Sequence, residues 1–266
     1  MTARLDAELA ARGLARSRSH AAQLIAAGAV SVDGRPVVKA ATPVGSESEI
    51  TVAGADHYVS RAAHKLLAAL EAFPVDVRDR VALDLGSSTG GFTQVLRERG
   101  ARPVMAVDVG HGQLSTVVAS DPEVRSVEGY NVRFMTAASL SAATGVAEAP
   151  RVVTGDLSFI SLHHVLPAIA ETASSDADIV LLIKPQFEVG RTAVKGGLVT
   201  DPALRSDAVH GVLWAAWDVG LRTAGLIASP IVGTHGNQEY VAWFSAAQGG
   251  EPSEWESTVT RLTGSR

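Results

Sequence analysis

The first chemically distinctive feature is a lysine at the end of an apolar run. Residues 179–183, IVLLI, form an unbroken apolar stretch that is typical of a strand buried on both faces of a parallel sheet. Lys184 follows at once, and Pro185 prevents the strand from continuing. An ammonium group in this position needs a partner or a purpose, because an unpaired buried charge is costly. Asp156 stands in the same position after the stretch RVVTG, so we expect a site at these strand ends.

The second feature is a glycine-rich turn between a predicted strand and a predicted helix. In VALDLGSSTGGFTQVL, Gly86, Gly90 and Gly91 permit a tight turn and a close approach of the backbone to a ligand, with a helix starting near Gly91. The next predicted strand ends in Asp108, about 20 residues after Gly86, where a carboxylate can accept hydrogen bonds from ribose hydroxyls. Turn, helix and acid together predict a nucleoside site.

The residues of this turn favour S-adenosylmethionine over a dinucleotide. Ser88 replaces the second glycine of G-x-G-x-x-G, the one that lets the backbone meet a pyrophosphate. Asp84, before the turn, places a carboxylate where it can face a cationic ligand group. S-adenosylmethionine carries an ammonium and a sulfonium and no phosphate, so D-x-G-x-x-x-G-G fits it better. The predicted cofactor-binding residues of this region are Asp84, Gly86, Ser87, Ser88, Gly90, Gly91 and Asp108.

The same letters contain a competing motif. GSSTG matches G-x-S-x-G, the nucleophile elbow of serine hydrolases, with Ser88 at its centre. Later acids and a histidine follow in the order that hydrolases use, including Asp156, Asp178 and His235. A hydrolase would leave Asp84 and the lysines without a role, so it is the weaker alternative.

The elements that must position these residues alternate along the chain after residue 61. Strands are predicted near 80–85, 103–108, 124–128, 151–155, 178–183, 222–228 and 240–245, with helical segments between them. Strands alternating with helices predict an α/β fold with a doubly wound parallel sheet and helices on both faces. Ligands of such sheets bind beyond the carboxyl ends of the strands, which is where Lys184 lies.

The N-terminal region has a different character. Two short helices are predicted, the second capped by Ser19 and stopped by Gly28, and VDGRPV carries an Asp-Gly turn signal between two short strands. Between residues 12 and 39 basic residues exceed acidic ones, because Asp33 is the one acid beside Arg12, Arg16, Arg18, Arg35 and Lys39.

Composition limits the remaining possibilities. The chain of 266 residues has 46% hydrophobic and 19% charged residues, as ordinary globular proteins do, and it contains no cysteine. A net charge of −5 means that nucleic-acid binding must rest on a local basic patch. We find no apolar stretch of roughly 18 residues and no signal-peptide core, so a cytoplasmic protein without membrane contact is predicted. The histidines form no H-x-x-x-H pair, and no metal is predicted.

Residues 3–53 resemble a small RNA-binding domain found in a small-subunit ribosomal protein and in many pseudouridine synthases. The resemblance lies in RLDAELAARGLARSRSHAAQLIAAGAVSVDGRPV. It implies that Arg4, Arg16 and Arg18 contact RNA phosphates. The predicted organisation is this domain over residues 1–55, a linker over 56–61, a catalytic domain over 62–250 and a C-terminal tail over 251–266.

The larger domain resembles the TlyA-type methyltransferases, also called hemolysin A, and the related FtsJ-type ribosomal RNA 2′-O-methyltransferases. The resemblance is carried by LDLGSSTGGFT, MAVDVGHGQL, GDLSFISL, LLIKPQFEVG and GNQEYVAWF. It implies a Rossmann-like S-adenosylmethionine-dependent methyltransferase that modifies a cytidine ribose 2′-hydroxyl in 16S and 23S ribosomal RNA, within ribosomal subunits. The hemolysin name implies a membrane pore, which nothing in the sequence supports.

The resemblance also implies a catalytic set of Lys65, Asp156, Lys184 and Glu239 and a cofactor-pocket asparagine, Asn131. In this scheme Lys184 is the base that removes the hydroxyl proton, provided that desolvation and the neighbouring Lys65 lower its pKa. Asp156 and Glu239 orient the two lysines.

One departure and two further alternatives remain. Family members carry Arg-x-Trp-Val between the domains, whereas residues 56–59 are DHYV, so the basic residue is replaced by an acid. A methyltransferase-like RNA-binding protein without catalysis is one alternative, and the intact catalytic set argues against it. A small-molecule methyltransferase with an unrelated appendage is the other, and the basic N-terminal domain argues against that.

Overall fold

The computed structural model describes residues 2–15, 17–52, 57–190, 194, 196–233 and 236–265. The chain divides into two compact units, Met1–Ser60 and Arg61–Arg266, each with its own hydrophobic core.

The first unit is a small α+β fold. Its elements are β1 (Thr2–Arg4), α1 (Leu5–Ala11), α2 (Arg18–Ala26), β2 (Val30–Val32), β3 (Arg35–Pro36), β4 (Pro43–Gly45) and β5 (Ile50–Val52). Strands β1 and β4 pair antiparallel, and β2 lies between β3 and β5. Leu5, Leu9 and Ile25 of the two helices are fully buried and form the centre of the core.

Two local predictions for this unit have different outcomes. The Asp-Gly turn is confirmed, because Asp33 and Gly34 both have positive φ, 49° and 75°, as a two-residue hairpin loop requires. The predicted cap is wrong by two residues. Ser17, in extended conformation, accepts a hydrogen bond from the backbone N–H of His20, while Ser19 lies inside the first turn of α2.

The second unit is built on a seven-stranded sheet. Its strands are β6 (Ala82–Leu85), β7 (Val104–Val107), β8 (Val124–Val127), β9 (Val152–Gly155), β10 (Asp178–Ile183), β11 (Arg222–Ala228) and β12 (Tyr240–Ser245). Its helices are α3 (Ala63–Ala72), α4 (Gly91–Glu98), α5 (Thr116–Ala119), α6 (Ala137–Thr144), α7 (Leu166–Thr172), α8 (Pro185–Glu188), α9 (Pro202–Asp218) and α10 (Glu256–Thr263). All seven predicted strands are present, and the Rossmann-like α/β class is confirmed.

The prediction of an all-parallel sheet is wrong at the last strand. β12 pairs antiparallel with both β10 and β11. A parallel return needs a crossover of a dozen or more residues, usually a helix. The connection over residues 229–239 is shorter than that, so the chain turns back beside β11 and then inserts between β11 and β10.

The strand order places a switch point at β6. The order is β11-β12-β10-β9-β6-β7-β8, so the chain moves outward from β6 through β7 to β8 and later returns to the other side of β6 with β9. Strands β6, β7, β9 and β10 are buried along their whole length, which accounts for their mostly apolar sequences. Ligand crevices form at such a reversal, beyond the carboxyl ends of the strands.

The C-terminal segment packs against other elements of the second unit. A 3-10 helix (Pro252–Trp255) and α10 contact α9, and α10 also contacts β11. Val259 is fully buried.

Candidate active site

A cleft of about 480 Å³ opens at the carboxyl ends of β6, β7 and β9, the switch point of the sheet. A volume of this size suits a small-molecule ligand. Its walls are formed by Gly86, Ser88, Asp108, Val109, Gly110, Gln113, Tyr130, Asn131, Val132, Asp156, Leu157, Ser158, Phe159 and Ile160.

The glycine-rich turn forms one wall and depends on its glycines. Gly86 has φ of 76°, and a Cβ added there would lie 3.0 Å from the Leu157 side chain. Gly90 has φ of 96°, and its Cβ would lie 2.9 Å from Leu114. A side chain at either position would be strained by the backbone as well as crowded. The helix α4 begins at Gly91, as predicted.

Asp108 ties this turn to the end of β7. Its two carboxylate oxygens accept hydrogen bonds from the backbone N–H groups of Ser88 (2.8 Å) and Gly110 (2.7 Å). Each carboxylate oxygen can accept more than one bond, so the half-buried group retains capacity for ligand hydroxyls. A Cβ on Gly110 would lie 2.0 Å from the Gln113 amide, so a side chain there would displace Gln113.

Asp84 is not placed as expected. Its carboxylate is fully buried instead of facing the cleft, and it accepts hydrogen bonds from the hydroxyls of Thr93 on α4 (2.6 Å) and Thr154 on β9 (3.2 Å). Burial raises its pKa to about 7; the threonine hydrogen bonds oppose the shift and the nearby charge of Asp156 adds to it. In this structure Asp84 fastens the start of α4 to the sheet, behind the turn.

The other predicted cofactor residues divide into two groups. Gly86, Ser88, Asp108 and Asn131 line the cleft, whereas Ser87, Gly90 and Gly91 shape the turn behind it. Asn131 also caps a 3-10 helix, because its side-chain oxygen accepts a hydrogen bond from the backbone N–H of Arg133 (3.1 Å).

The predicted catalytic side chains meet around Asp156, which lines the cleft, although they are separated by up to 174 residues in the chain. Lys65 Nζ donates to Glu239 Oε2 (2.7 Å) and to Asp156 Oδ2 (3.1 Å). The other oxygen of Asp156 lies 2.7 Å from Lys184 Nζ. The result is a continuous row of alternating charges, Glu239–Lys65–Asp156–Lys184, which we call the charge row.

The charge row is buried, so each of its charged groups needs a nearby partner of opposite charge. Lys65, Lys184 and Glu239 are only 6%, 7% and 2% exposed. Such charges are tolerated when each has a partner of opposite sign. Burial acts to raise the pKa of Asp156, but the positive charges of Lys184 and Lys65 outweigh it and hold that pKa below its usual value.

The sequence did not single out several residues of the site. Ser158 accepts a hydrogen bond from Lys184 Nζ (2.9 Å). Phe159 is 92% exposed at the cleft, with φ of 64°. A Cβ on Gly233 would lie 2.1 Å from Glu239 Oε1, so a glycine is needed beside that carboxylate. The only available signal was that Ser158 and Phe159 belong to the motif GDLSFISL.

The hydrolase alternative finds no support in this geometry. The Ser88 hydroxyl donates to the Gln113 side chain (3.3 Å). Asp156 is engaged by two lysines, and Asp178 accepts hydrogen bonds from Trp243 and Arg80 (2.9 Å each), so neither acid is arranged to orient a base. His235, the candidate base, lies outside the described residues.

The predicted RNA-contacting arginines lie in the first unit. Arg4 and Arg18 both pair with the buried Asp6, at 3.0 Å and 3.1 Å, while most of each arginine side chain remains exposed. The hydrogen bond from Arg4 is the main reason that the pKa of Asp6 falls to about 2. Arg16 lies outside the described residues.

Comparison with known families and proteins agrees with this geometry. The FtsJ-like methyltransferase family matches residues 58–246, and the S4 domain matches residues 3–50. The 16S/23S rRNA (cytidine-2′-O)-methyltransferase TlyA of Mycobacterium tuberculosis is 50% identical over 91% of this chain and 89% of its own length. Hemolysin A of Brachyspira hyodysenteriae is 38% identical over 91% of this chain and 99% of its own.

A solved structure supports the same assignment. A hemolysin-type protein from Streptococcus thermophilus superposes with a TM-score of 0.75 at 33% identity, covering 99% of this chain and 96% of its own. Among the described residues, no helix has the length and apolar character needed to cross a membrane. With a family match over most of its length and relatives of this similarity, the chain belongs to the TlyA-type branch of the FtsJ-like methyltransferases.

Proposed function

We propose that the protein transfers a methyl group from S-adenosylmethionine to the ribose 2′-hydroxyl of cytidine in 16S and 23S ribosomal RNA, within ribosomal subunits. The observation that carries the proposal is the charge row, whose Asp156 lines the same cleft as the glycine turn and Asp108. The Mycobacterium tuberculosis relative bears this activity in its name.

The cleft fits S-adenosylmethionine. The backbone of Gly86 and Ser88 lies along one wall, and Asp108 offers carboxylate oxygens to ribose hydroxyls. Asn131 and Tyr130 form the neighbouring wall with polar groups beside Val109 and Val132. When bound, this cofactor supplies an electrophilic methyl group on a sulfonium centre.

A ribose hydroxyl is a weak nucleophile, so the chain must hold it in line and remove one proton. Lys184 is our candidate for both tasks, because its Nζ is held by Asp156 and by the Ser158 hydroxyl, two residues that line the cleft. The bound cofactor would supply the methyl group, and the part of Lys184 would be to hold the ribose hydroxyl and to take up its proton, which requires the neutral form of the amine.

The rest of the charge row stabilises that transfer. Lys184 must first lose the proton that makes it a positive member of the charge row, and Lys65 then balances only one of the two carboxylates, Asp156 and Glu239. Proton uptake by Lys184 brings the row to two positive and two negative charges. The new ammonium then lies 2.7 Å from Asp156 Oδ1, a preorganised partner at the point where charge develops.

The first unit is the proposed RNA anchor. Arg4 and Arg18 keep most of their side chains exposed while Asp6 fixes their orientation, an arrangement suited to phosphate contacts. Arg16 is proposed as a third contact on the resemblance alone. A ribosomal RNA substrate supports the cytoplasmic location that we also propose for the protein.

The decisive experiment maps 2′-O-methylation on ribosomal RNA from cells with and without the protein, and repeats it with purified subunits and S-adenosylmethionine. Loss of methylation at defined cytidines in cells, restored in vitro by wild type and not by Lys184→Ala, is the expected result. Unchanged methylation maps would leave an RNA-binding protein without catalysis as the better description.

A further inference from the structure

Glu188 is a charged residue near the charge row that has no part in it. It ends α8, four residues after Lys184, and its side chain is half-buried. One carboxylate oxygen accepts a hydrogen bond from the Ser161 hydroxyl (2.6 Å) and the other from the backbone N–H of Leu162 (3.0 Å). Glu188 thereby joins the segment after β10 to the loop after β9.

These two segments meet along their whole length. The loop 156–162 leaves β9, and the segment 184–188 leaves the neighbouring parallel strand β10. At one end Asp156 and Ser158 contact Lys184. In the middle the rings of Phe159 and Phe187 lie 5.3 Å apart, and at the other end are the two bonds to Glu188.

The loop needs such external restraint because its backbone is strained. Phe159 has φ of 64°, a left-handed conformation that is unusual for a bulky side chain. Strained residues persist where the surrounding contacts fix them. The strained residue directly follows Ser158, which contacts Lys184, so a change of loop conformation would move that partner.

The hydrogen bonds to Glu188 are charge-assisted. Hydrogen bonds to a carboxylate are shorter and stronger than those between neutral groups, and both oxygens are used. Burial raises the pKa of Glu188, while the bonds from Ser161 and Leu162 and the neighbouring His163 and His164 oppose that shift.

We propose that Glu188 is a positioning residue for methyl transfer: by holding Ser161 and Leu162, it fixes the loop that presents Asp156 and Ser158 to Lys184. It contacts no reacting atom and acts only through this loop. The inference rests on the proposed catalytic role of Lys184.

The test compares Glu188→Ala with a matched control in the full-length protein. Glu188 accepts a hydrogen bond from the backbone N–H of Leu162, the first residue of a 3-10 helix (Leu162–His164). Glu254 likewise accepts a hydrogen bond from the backbone N–H of Glu251 at the start of the 3-10 helix Pro252–Trp255, which packs on α9 and α10. We expect Glu188→Ala to lower the single-turnover methylation rate of ribosomal subunits about 10- to 100-fold, since small misplacements have effects of this size. Affinity for S-adenosylmethionine should not change. Glu254→Ala should lower the melting temperature and keep the rate.

Further variants separate positioning from stability. Glu188→Gln should recover part of the rate, because its amide oxygen can still accept one of the bonds. In the double variant Glu188→Ala/Ser158→Ala the combined loss should be smaller than the product of the single losses, because both act on the same lysine. If Glu188→Ala does not fold, Glu188→Gln and Ser161→Ala provide the same test, with a smaller expected loss of the methylation rate.

Three results would overturn the inference: a wild-type rate in the Glu188 variants, an equal rate loss in Glu254→Ala, or independent losses in the double variant. Lys184→Ala in the same assay distinguishes a failure of the positioning role of Glu188 from a failure of the proposed catalytic role of Lys184. Full activity of Lys184→Ala overturns the role of Lys184, whereas an inactive Lys184→Ala beside a fully active Glu188→Ala overturns only the positioning role.

Discussion

Asp156 Oδ1 lies 2.7 Å from Lys184 Nζ, and the two residues follow neighbouring parallel strands of unequal length. The last paired residues are Gly155 of β9 and Leu181 of β10, so β10 continues to Ile183 after β9 has ended. The shorter strand leaves room for its loop to meet the tip of the longer one. The lysine at the end of a core strand is therefore explained by a carboxylate supplied from the adjacent strand.

This pairing leads to the first prediction. Lys184→Ala should abolish methyl transfer and spare the fold and cofactor affinity, because Lys184 lies beyond the end of β10 and is not part of the apolar core. General-base help contributes about 10²–10⁴-fold to a rate, and correct alignment of the ribose adds to that. Methylation of ribosomal subunits and calorimetric titration with S-adenosylmethionine give the two readouts.

Lys184→Arg is the matched control for this prediction. Arginine keeps the positive charge beside Asp156, but its guanidinium stays protonated and cannot accept the hydroxyl proton. We expect it to be as inactive as alanine with cofactor bound normally. An arginine variant that keeps most of the activity would make Lys184 an electrostatic clamp and place the base elsewhere.

The second prediction concerns Asp108. Asp108→Ala removes charge-assisted hydrogen bonds worth roughly 1.5–3 kcal/mol, so affinity for S-adenosylmethionine should fall about 10- to 150-fold by calorimetry. Asp201→Ala is the control, because Asp201 caps α9 through the backbone N–H of Ala203 (2.9 Å) and does not line the cleft. Unchanged affinity in Asp108→Ala would remove this acid from the ribose site.

The sheet was predictable because the burial of a strand is reflected in the strand's own residues. Strands buried on both faces are mostly apolar, and β7 and residues 179–183 of β10 can be recognised in this way. Strands β6 and β9 are apolar except for Asp84 and Thr154, which bond to each other. The charged residue that ends such a run, Lys184 or Asp156, is equally visible. The antiparallel direction of β12 was less visible, because it depends on where the chain inserts in the sheet and not on the strand's own residues.

The parts of the site that were missed depend on contacts between loops. The sequence places Asp84 beside the glycine turn, but only the fold shows that Thr93 and Thr154 enclose it behind the turn. The bond between Glu188 and Ser161 joins residues whose segments leave different strands. No spacing in the sequence indicates such a meeting.

The third prediction concerns the first unit. Deleting residues 1–55 should leave cofactor binding intact, because the second unit has its own sheet and core, and should abolish methylation of ribosomal subunits. In the full chain, Arg4→Ala and Arg18→Ala should each weaken binding to subunits and lower the salt dependence of binding by about 1 in log–log slope. A truncated protein that modifies subunits at the full rate would show that the RNA anchor lies elsewhere.

The last prediction concerns the buried Asp84. Its pKa is about 7 in the folded chain against an ordinary value of 3.8, so the folded state binds the extra proton between about pH 4 and about pH 7. The free energy of unfolding contributed by this group therefore decreases as pH rises through that window, by about 1.4 kcal/mol per pH unit at most. Below the window both states are protonated, and above it both are ionised. Asp84→Asn, which cannot ionise, should remove this dependence. Denaturant unfolding of wild type and variant from pH 4 to 8 gives the difference in stability, which should shift in favour of the variant as pH rises and then level off near pH 7. A difference that is flat across the whole range would mean that Asp84 ionises in the folded protein as it does in water.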